Sequence, residues 1–191
     1  MANLHFKYGT MSASKSADLI IQAYNLRQNG INVECLKPTF DNRFSSTTIK
    51  SRIGIETPAL SLNSLQFYKP QYNTKVIMVD EVQFFTPNDI DILVNIVDNQ
   101  GKIVMCYGLL VDYNGNMFPT SKRLIESGAK LHQIKTNCQI KGCTNLADHH
   151  LLFTSDGQVV RGGTGVQLGD ILYKSVCRQH FNKIYNNEKH K

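Results

Sequence analysis

The chain has 191 residues, enough for one packed domain with a small annex. Its 41% hydrophobic content, with no low-complexity tract, excludes a disordered or fibrous protein. The formal charge of +6 comes from scattered lysines and arginines; this mild basic excess suits a protein that binds phosphorylated small molecules and is also compatible with nucleic acid. No apolar run nears the ~20 residues that cross a membrane. The start, Met1-Ala2-Asn3-Leu4-His5, has no charged leader followed by an apolar core, so we expect no signal peptide and a cytoplasmic protein. Five cysteines there are thiols or metal ligands rather than a disulfide framework.

Residues 4–8 alternate like a strand and run into Gly9-Thr10-Met11-Ser12-Ala13-Ser14-Lys15-Ser16. Leu19, Ile20, Ala23, Leu26 and Arg27 then keep helical spacing until Gly30. Residues 33–37 predict a second strand, ended by Pro38. The polar stretch 39–57 is too long for a plain connector, so it is expected to be mobile or functional. Residues 76–80 form an apolar run ending in acid, as in a buried parallel strand. Pro87 opens a helix with Ile90, Leu93, Val94 and Val97 on one face, closed by Gly101. Residues 103–107 predict another buried strand, followed by a loop through Asn114-Gly115, a short helix over 119–128 and a last strand over 130–135. Strands alternating with helices imply a parallel sheet with right-handed crossovers. From Asn137 onward helical periodicity fades while Cys, His and Gly accumulate, which places a boundary near Thr136, between a nucleotide-binding unit of 1–136 and an annex of 137–191. Within the annex, 151–153 and 158–160 flank Ser155-Asp156-Gly157 and predict a hairpin; the basic tail 183–191 is expected to be a solvated end.

Four constellations carry chemistry. The first, residues 9–16, has the spacing of a phosphate loop, with Gly9 opening it and Lys15-Ser16 closing it. Backbone N–H groups of Thr10, Met11, Ser12, Ala13 and Ser14 would surround phosphates, Lys15 would reach the β/γ-phosphates and Ser16 would ligate magnesium. Ser14 stands where the common pattern has glycine; the bland alternative is a Ser/Gly turn entering a helix. The second is Asp80-Glu81 at the end of an apolar strand. One acid there can serve magnesium while its neighbour acts as a general base; two solvated acids are the alternative. The third pairs Cys138 with Cys143 and Cys177 with His180, a donor set for closed tetrahedral zinc. His149 and His150 are a rival source of ligands, and buried thiols without metal are the alternative; Cys35 and Cys106 sit in strand-like runs and read as core. The fourth is the glycine-rich segment 161–173, able to wrap a ligand with main-chain hydrogen bonds or to act as a connector.

Taken together, these residues resemble the zinc-containing, cellular-type (type II) thymidine kinases. The family's phosphate loop is matched by Gly9, Met11, Lys15 and Ser16, with Ala13-Ser14 where the family has Ser-Gly. Its acid motif is matched by residues 80–84, its Asp-x-Arg by Asp41-Asn42-Arg43 with Ser51-Arg52-Ile53-Gly54 following, and its end by residues 173–178. The first cysteine pair has four intervening residues where the family usually has two. The resemblance implies an α/β fold, a P-loop (RecA-like) parallel sheet with helices on both faces plus a small zinc-binding lasso domain. It implies transfer of the ATP γ-phosphoryl group to the 5′-hydroxyl of thymidine or deoxyuridine. On this reading Lys15 and the loop bind ATP, Ser16 and Asp80 serve magnesium, Glu81 is the base and Arg43 lies near the transferring phosphate. Met11, Gln83, Phe84, Leu109, Tyr113, Phe118 and Tyr173 would meet the nucleoside, with Gly165, Val166, Gln167 and Leu168 of the lasso reading its base. A homotetramer inhibited by thymidine triphosphate is implied too. Two rival functions remain at this point. A phosphate-loop NTPase contacting nucleic acid through the Cys/His annex predicts a concentrated basic face, and the basic residues are dispersed. A non-catalytic nucleotide-binding protein is suggested by Ser14, against which stands the joint presence of Lys15, Ser16, Asp80 and Glu81.

Overall fold

The computed structural model describes residues 3–39, 47–163 and 172–186. Its centre is a six-stranded sheet built from β1 (Leu4–Tyr8), β2 (Val33–Pro38), β5 (Leu60–Leu62), β6 (Val76–Val79), β7 (Ile103–Gly108) and β8 (Lys130–Gln133). The strand order is β5-β2-β6-β7-β1-β8 and every pairing is parallel, so all carboxyl ends lie along one edge. All four residues of β6 are buried, as the apolar run 76–79 requires of a strand covered on both faces.

Helices cover both faces. Helix α1 (Lys15–Gln28) lays Leu19, Ile20 and Ala23 on Cys35, Val76, Met78 and Tyr107. On the opposite face α2 (Pro87–Gln100) and α3 (Pro119–Glu126) bury Ile90, Leu93, Val97 and Leu124 against Phe6, Leu36, Ile77, Val79 and Val104. Each fully buried Leu or Ile contributes roughly 1.5–3 kcal/mol. Thr86 and Asp89 form a capping box at the start of α2, Pro87 occupies its first turn, and Gly101 closes it at φ 64°.

Three parts depart from the expected elements. Part of the polar stretch 39–57 is a hairpin, β3 (Thr48–Lys50) against β4 (Glu56–Pro58), and the sheet gains the edge strand β5. The expected hairpin over 151–160 keeps its turn, with Gly157 at φ 85° and an isolated bridge between Phe153 and Val159. Its first arm belongs to a longer strand, β11 (His149–Phe153), paired antiparallel with β12 (Leu172–Val176). The basic tail, expected to be solvated, begins inside α4 (Arg178–Asn186), which buries Phe181 against Cys138, Leu151, Val176 and Cys177. A short pair, β9 (Thr136–Asn137) with β10 (Leu146–Ala147), completes this annex. Cys35 and Cys106 are core residues, and burial pushes both thiols up. Among the described residues no helix is long and apolar enough to cross a membrane.

Candidate active site

The loop between β1 and α1 starts at Gly9, where a Cβ would sit 2.7 Å from the Ile134 carbonyl oxygen and 2.8 Å from Ala13 Cβ, so only glycine fits. Ser12 and Ser14 hold left-handed φ values of 72° and 59°. A left-handed residue with a Cβ costs roughly 1–2 kcal/mol. Such strain gathers where the chain needs a special shape. The left-handed Ser14 is the N-cap of α1, and a helix N-terminus favours an anion. Lys15 is buried, its ammonium donating to the carbonyls of Thr10 at 2.9 Å and Gly9 at 3.4 Å.

A cavity of about 340 Å³ opens beside this loop. It is lined by Met11, Ser12, Ser14, Lys15 and Ser16, by Lys37 at the end of β2, by Asp80 and Glu81 after β6, and by residues 48–53 of the β3–β4 hairpin. Arg52 ties that hairpin to the loop, its Nη1 donating to Ser12 Oγ at 3.1 Å. Glu81 is, among the described residues, the third non-glycine residue with positive φ, at 48°, which turns the chain sharply out of the strand. Gln83 then donates from Nε2 to Glu81 Oε2 at 2.6 Å and accepts from the Leu109 amide at Oε1, 3.0 Å away. Gly108 leaves room for this amide, since a Cβ there would meet Gln83 Oε1 at 2.5 Å. The cavity therefore joins the phosphate loop, two buried lysines, several hydroxyls and two carboxylates, a set able to hold a polyphosphate beside a proton acceptor.

The residues expected at the nucleoside come from several elements. Leu109, Tyr113 and Phe118 follow β7 and are buried; Phe84 lies half-buried after Glu81, and Tyr173 lies half-buried on β12. Tyr113 joins this group to the glycine-rich segment by donating its hydroxyl to the Gly162 carbonyl at 2.7 Å. Asn114 Oδ1 accepts from the Gly162 amide and from the Tyr185 hydroxyl. Arg161 holds the segment's start against α4 by donating to the carbonyls of Ile184 and Tyr185, a favourable place for a cation. Gly9 and Thr10 line a neighbouring cavity of about 300 Å³ with His149 and His150. Burial, with Lys15 nearby, pulls His150 down to about 3, so it is neutral, and its ring meets Tyr173 edge-on at 5.6 Å. Arg43, Gly165, Val166, Gln167 and Leu168 lie outside the described residues.

In the annex, Cys138, Cys143, Cys177 and His180 bring their ligand atoms within 4.8 Å of one another. His180 Nδ1 is 3.5 Å from Cys138 Sγ and 3.3 Å from Cys177 Sγ. Tetrahedral zinc spaces such atoms about 3.5–3.8 Å apart, so this set could hold a zinc ion. Burial pushes the Cys177 thiol up, but donors from the His180 amide and the side chains of His180, Asn145 and Cys138 outweigh it and bring it to about 7. His149 and His150 stay outside the cluster: His149 pairs with Asp148 at 2.7 Å and stacks on Phe181. The longer gap between Cys138 and Cys143 is absorbed by a turn in which the Cys143 amide donates to the Ile140 carbonyl and Gly142 takes φ 77°.

Sequence reasoning passed over Lys37 and the Gln83–Glu81 contact. The first had no motif to mark it. The second was hidden because two residues apart on an extended strand would share a face but not touch, and only the turn at Glu81 closes the distance.

A family model described as thymidine kinase matches residues 2–181. The thymidine kinase of Rhodopirellula baltica is 37% identical over 189 residues, covering 95% of this chain and 88% of that protein. The thymidine kinase of enterobacteria phage T4 is 37% identical over 191 residues, with 96% and 97% covered. That of Shewanella oneidensis is 34% identical over 192 residues, with 96% and 98% covered. Full-length similarity at this level, on a sheet whose carboxyl edge carries the loop and acids just described, means that the chain belongs to the thymidine kinase family.

Proposed function

We infer that the chain transfers the γ-phosphoryl group of ATP to the 5′-hydroxyl of thymidine, or of deoxyuridine, giving the 5′-monophosphate and ADP. The observation that carries this reading is one cavity shared by a phosphate loop ending in Lys15 and the acids Asp80 and Glu81, in a chain of this family. Loop amides from Gly9 to Ser14 and the Lys15 ammonium take the phosphates, with Arg43 near the transferred group. Glu81 accepts the 5′-hydroxyl proton as the O5′–phosphorus bond forms and the bond to the β-phosphate oxygen breaks, leaving ADP. Gln83 keeps the Glu81 carboxylate aimed, as its 2.6 Å contact supports. Ser16 and Asp80 are hard oxygen donors on one cavity and suit magnesium, which when bound supplies charge neutralisation of the phosphates.

Met11, Phe84, Leu109, Tyr113, Phe118 and Tyr173 enclose the nucleoside, with Gly165, Val166, Gln167 and Leu168 closing over the base. Residues 1–136 form the nucleotide-binding unit and 137–191 the zinc and lasso unit. Zinc on Cys138, Cys143, Cys177 and His180 would fix the two ends of that lasso. The same reading makes the protein a cytoplasmic homotetramer inhibited by thymidine triphosphate, which light scattering and inhibitor titration test. The alternative of an NTPase working on nucleic acid is not favoured by a family match spanning residues 2–181.

Glu81→Gln and Glu81→Ala separate binding from chemistry. Turnover should fall by about 10²–10⁴ while calorimetric thymidine affinity stays near that of the parent. Near-normal turnover of the Gln variant removes Glu81 from the mechanism.

A further inference from the structure

Lys37 is 2% exposed, yet it lines the cavity that holds Lys15, Asp80 and Glu81. Burying an ammonium is costly unless it meets anionic groups, and this one lines the same cavity as the phosphate loop. Its place follows from the sheet register. In β2 and β6, Leu36 is opposite Val79, and the Asp80 amide donates to the Leu36 carbonyl at 2.8 Å. One step further along both chains sets Lys37 beside Asp80. The face is fixed by alternation: Cys35 and Met78 pack under α1, so Lys37 and Asp80, two residues on from each, belong to the α1 side of the sheet. That is the side from which the phosphate loop reaches over.

The strand order sets the layout along the carboxyl edge. The loop rises from β1, β7 comes next, then the acids of β6, then Lys37 on β2. A phosphate chain anchored in the loop must run toward β6 to bring its last phosphorus to Glu81. Lys15 stands at the loop end of that path and Lys37 at the acceptor end. We propose that Lys37 contacts the γ-phosphoryl group of the bound triphosphate and stabilises the charge on it during transfer. This rests on the kinase reading above, which supplies the triphosphate and the acceptor side.

The test uses the full chain with Lys37→Met and Lys37→Arg, titrating ATP and ADP by calorimetry and measuring thymidine phosphorylation. A γ-phosphate contact predicts that Lys37→Met loses about tenfold or more in ATP affinity while ADP affinity changes little, with a larger loss in kcat than in thymidine KM. Lys37→Arg, which keeps the charge, should recover part of the ATP preference and part of kcat. If ATP and ADP affinities fall alike, or neither falls in both variants, the proposal is overturned and Lys37 has a packing role. Should Lys37→Met fail to fold, Lys37→Arg and Lys37→Gln decide by the same ATP-to-ADP ratio. A parent protein that binds ATP but phosphorylates no nucleoside contradicts the kinase reading, and leaves that ratio to be judged separately.

Discussion

Gln83 and Glu81 form a fixed pair: the amide Nε2 lies 2.6 Å from the carboxylate Oε2, and the Leu109 main chain fixes which end of the amide faces the acid. A base must be held to well under an ångström, and misplacement of about 1 Å can cost on the order of 10² in rate. Gln83→Met, of similar volume, should therefore lower kcat about tenfold or more and leave ATP affinity near the parent value. Steady-state kinetics with ATP titration checks this. An unchanged kcat would show that Glu81 needs no such support.

Ser14 takes φ 59° and ψ 30°, a conformation glycine adopts without penalty. Ser14→Gly should leave ATP use unchanged or mildly improved, because relief of local strain offsets the greater entropy of the unfolded chain. Ser14→Val, branched at Cβ, should lose about 1–2 kcal/mol and weaken ATP binding. Melting curves and ATP titration of the pair decide; a Ser14→Gly protein with much weaker ATP use would reveal a specific role for the hydroxyl.

Asp89 collects four donors, from the Ser64 and Thr86 hydroxyls and the Leu65 and Thr86 amides, and so ties the start of α2 to the loop before β6. Burial pushes its carboxyl up, but these donors outweigh it and hold it below the usual range. Because the folded value is the lower one, the stabilisation is present above the unfolded value near ~4 and is lost as pH falls through the folded value. Asp89→Asn should cost about 1–3 kcal/mol at neutral pH and flatten the acid side of the stability curve. Denaturant midpoints from about pH 3 to 7 test this; parallel curves for parent and variant would contradict it.

The Cys/His cluster brings together residues just after β9 and β12 with His180 of α4, and its three cysteines are also part of the small core around Leu151 and Phe181. We expect one zinc per chain. Chelation or Cys177→Ser should lower the melting temperature and weaken thymidine binding before it affects ATP binding, since the two pairs lie on either side of the glycine-rich segment in sequence and none of the four residues lines the cavity beside the phosphate loop. Elemental analysis and thymidine titration check this. A metal-free protein that binds thymidine and melts like the parent would make these residues ordinary thiols and an imidazole.

Much of the architecture was legible because it rests on strong local signals. The loop 9–16, the apolar run before Asp80 and the Pro87-to-Gly101 helix each carry a start or stop residue beside a clear period. The Cys/His spacing named all four members of the cluster, although spacing alone left His149 and His150 as rivals until their positions on β11 were seen. What stayed hidden was short or two-sided. Strands β3, β4 and β5 have three residues each, too few to show alternation, and are defined by pairing partners distant in sequence. Helix α4 buries Phe181 alone among polar and basic residues, so its composition resembles a solvated tail. Lys37 reads as an ordinary strand lysine until the register beside Asp80 is known.

The most direct measurement of the central claim is incubation of the purified chain with γ-labelled ATP, magnesium and thymidine, with single-stranded DNA tested as competitor. The account predicts label in thymidine 5′-monophosphate, loss of that product with Glu81→Gln, and no effect of DNA. Label released only as inorganic phosphate, or hydrolysis that rises with DNA while thymidine stays unmodified, would contradict it.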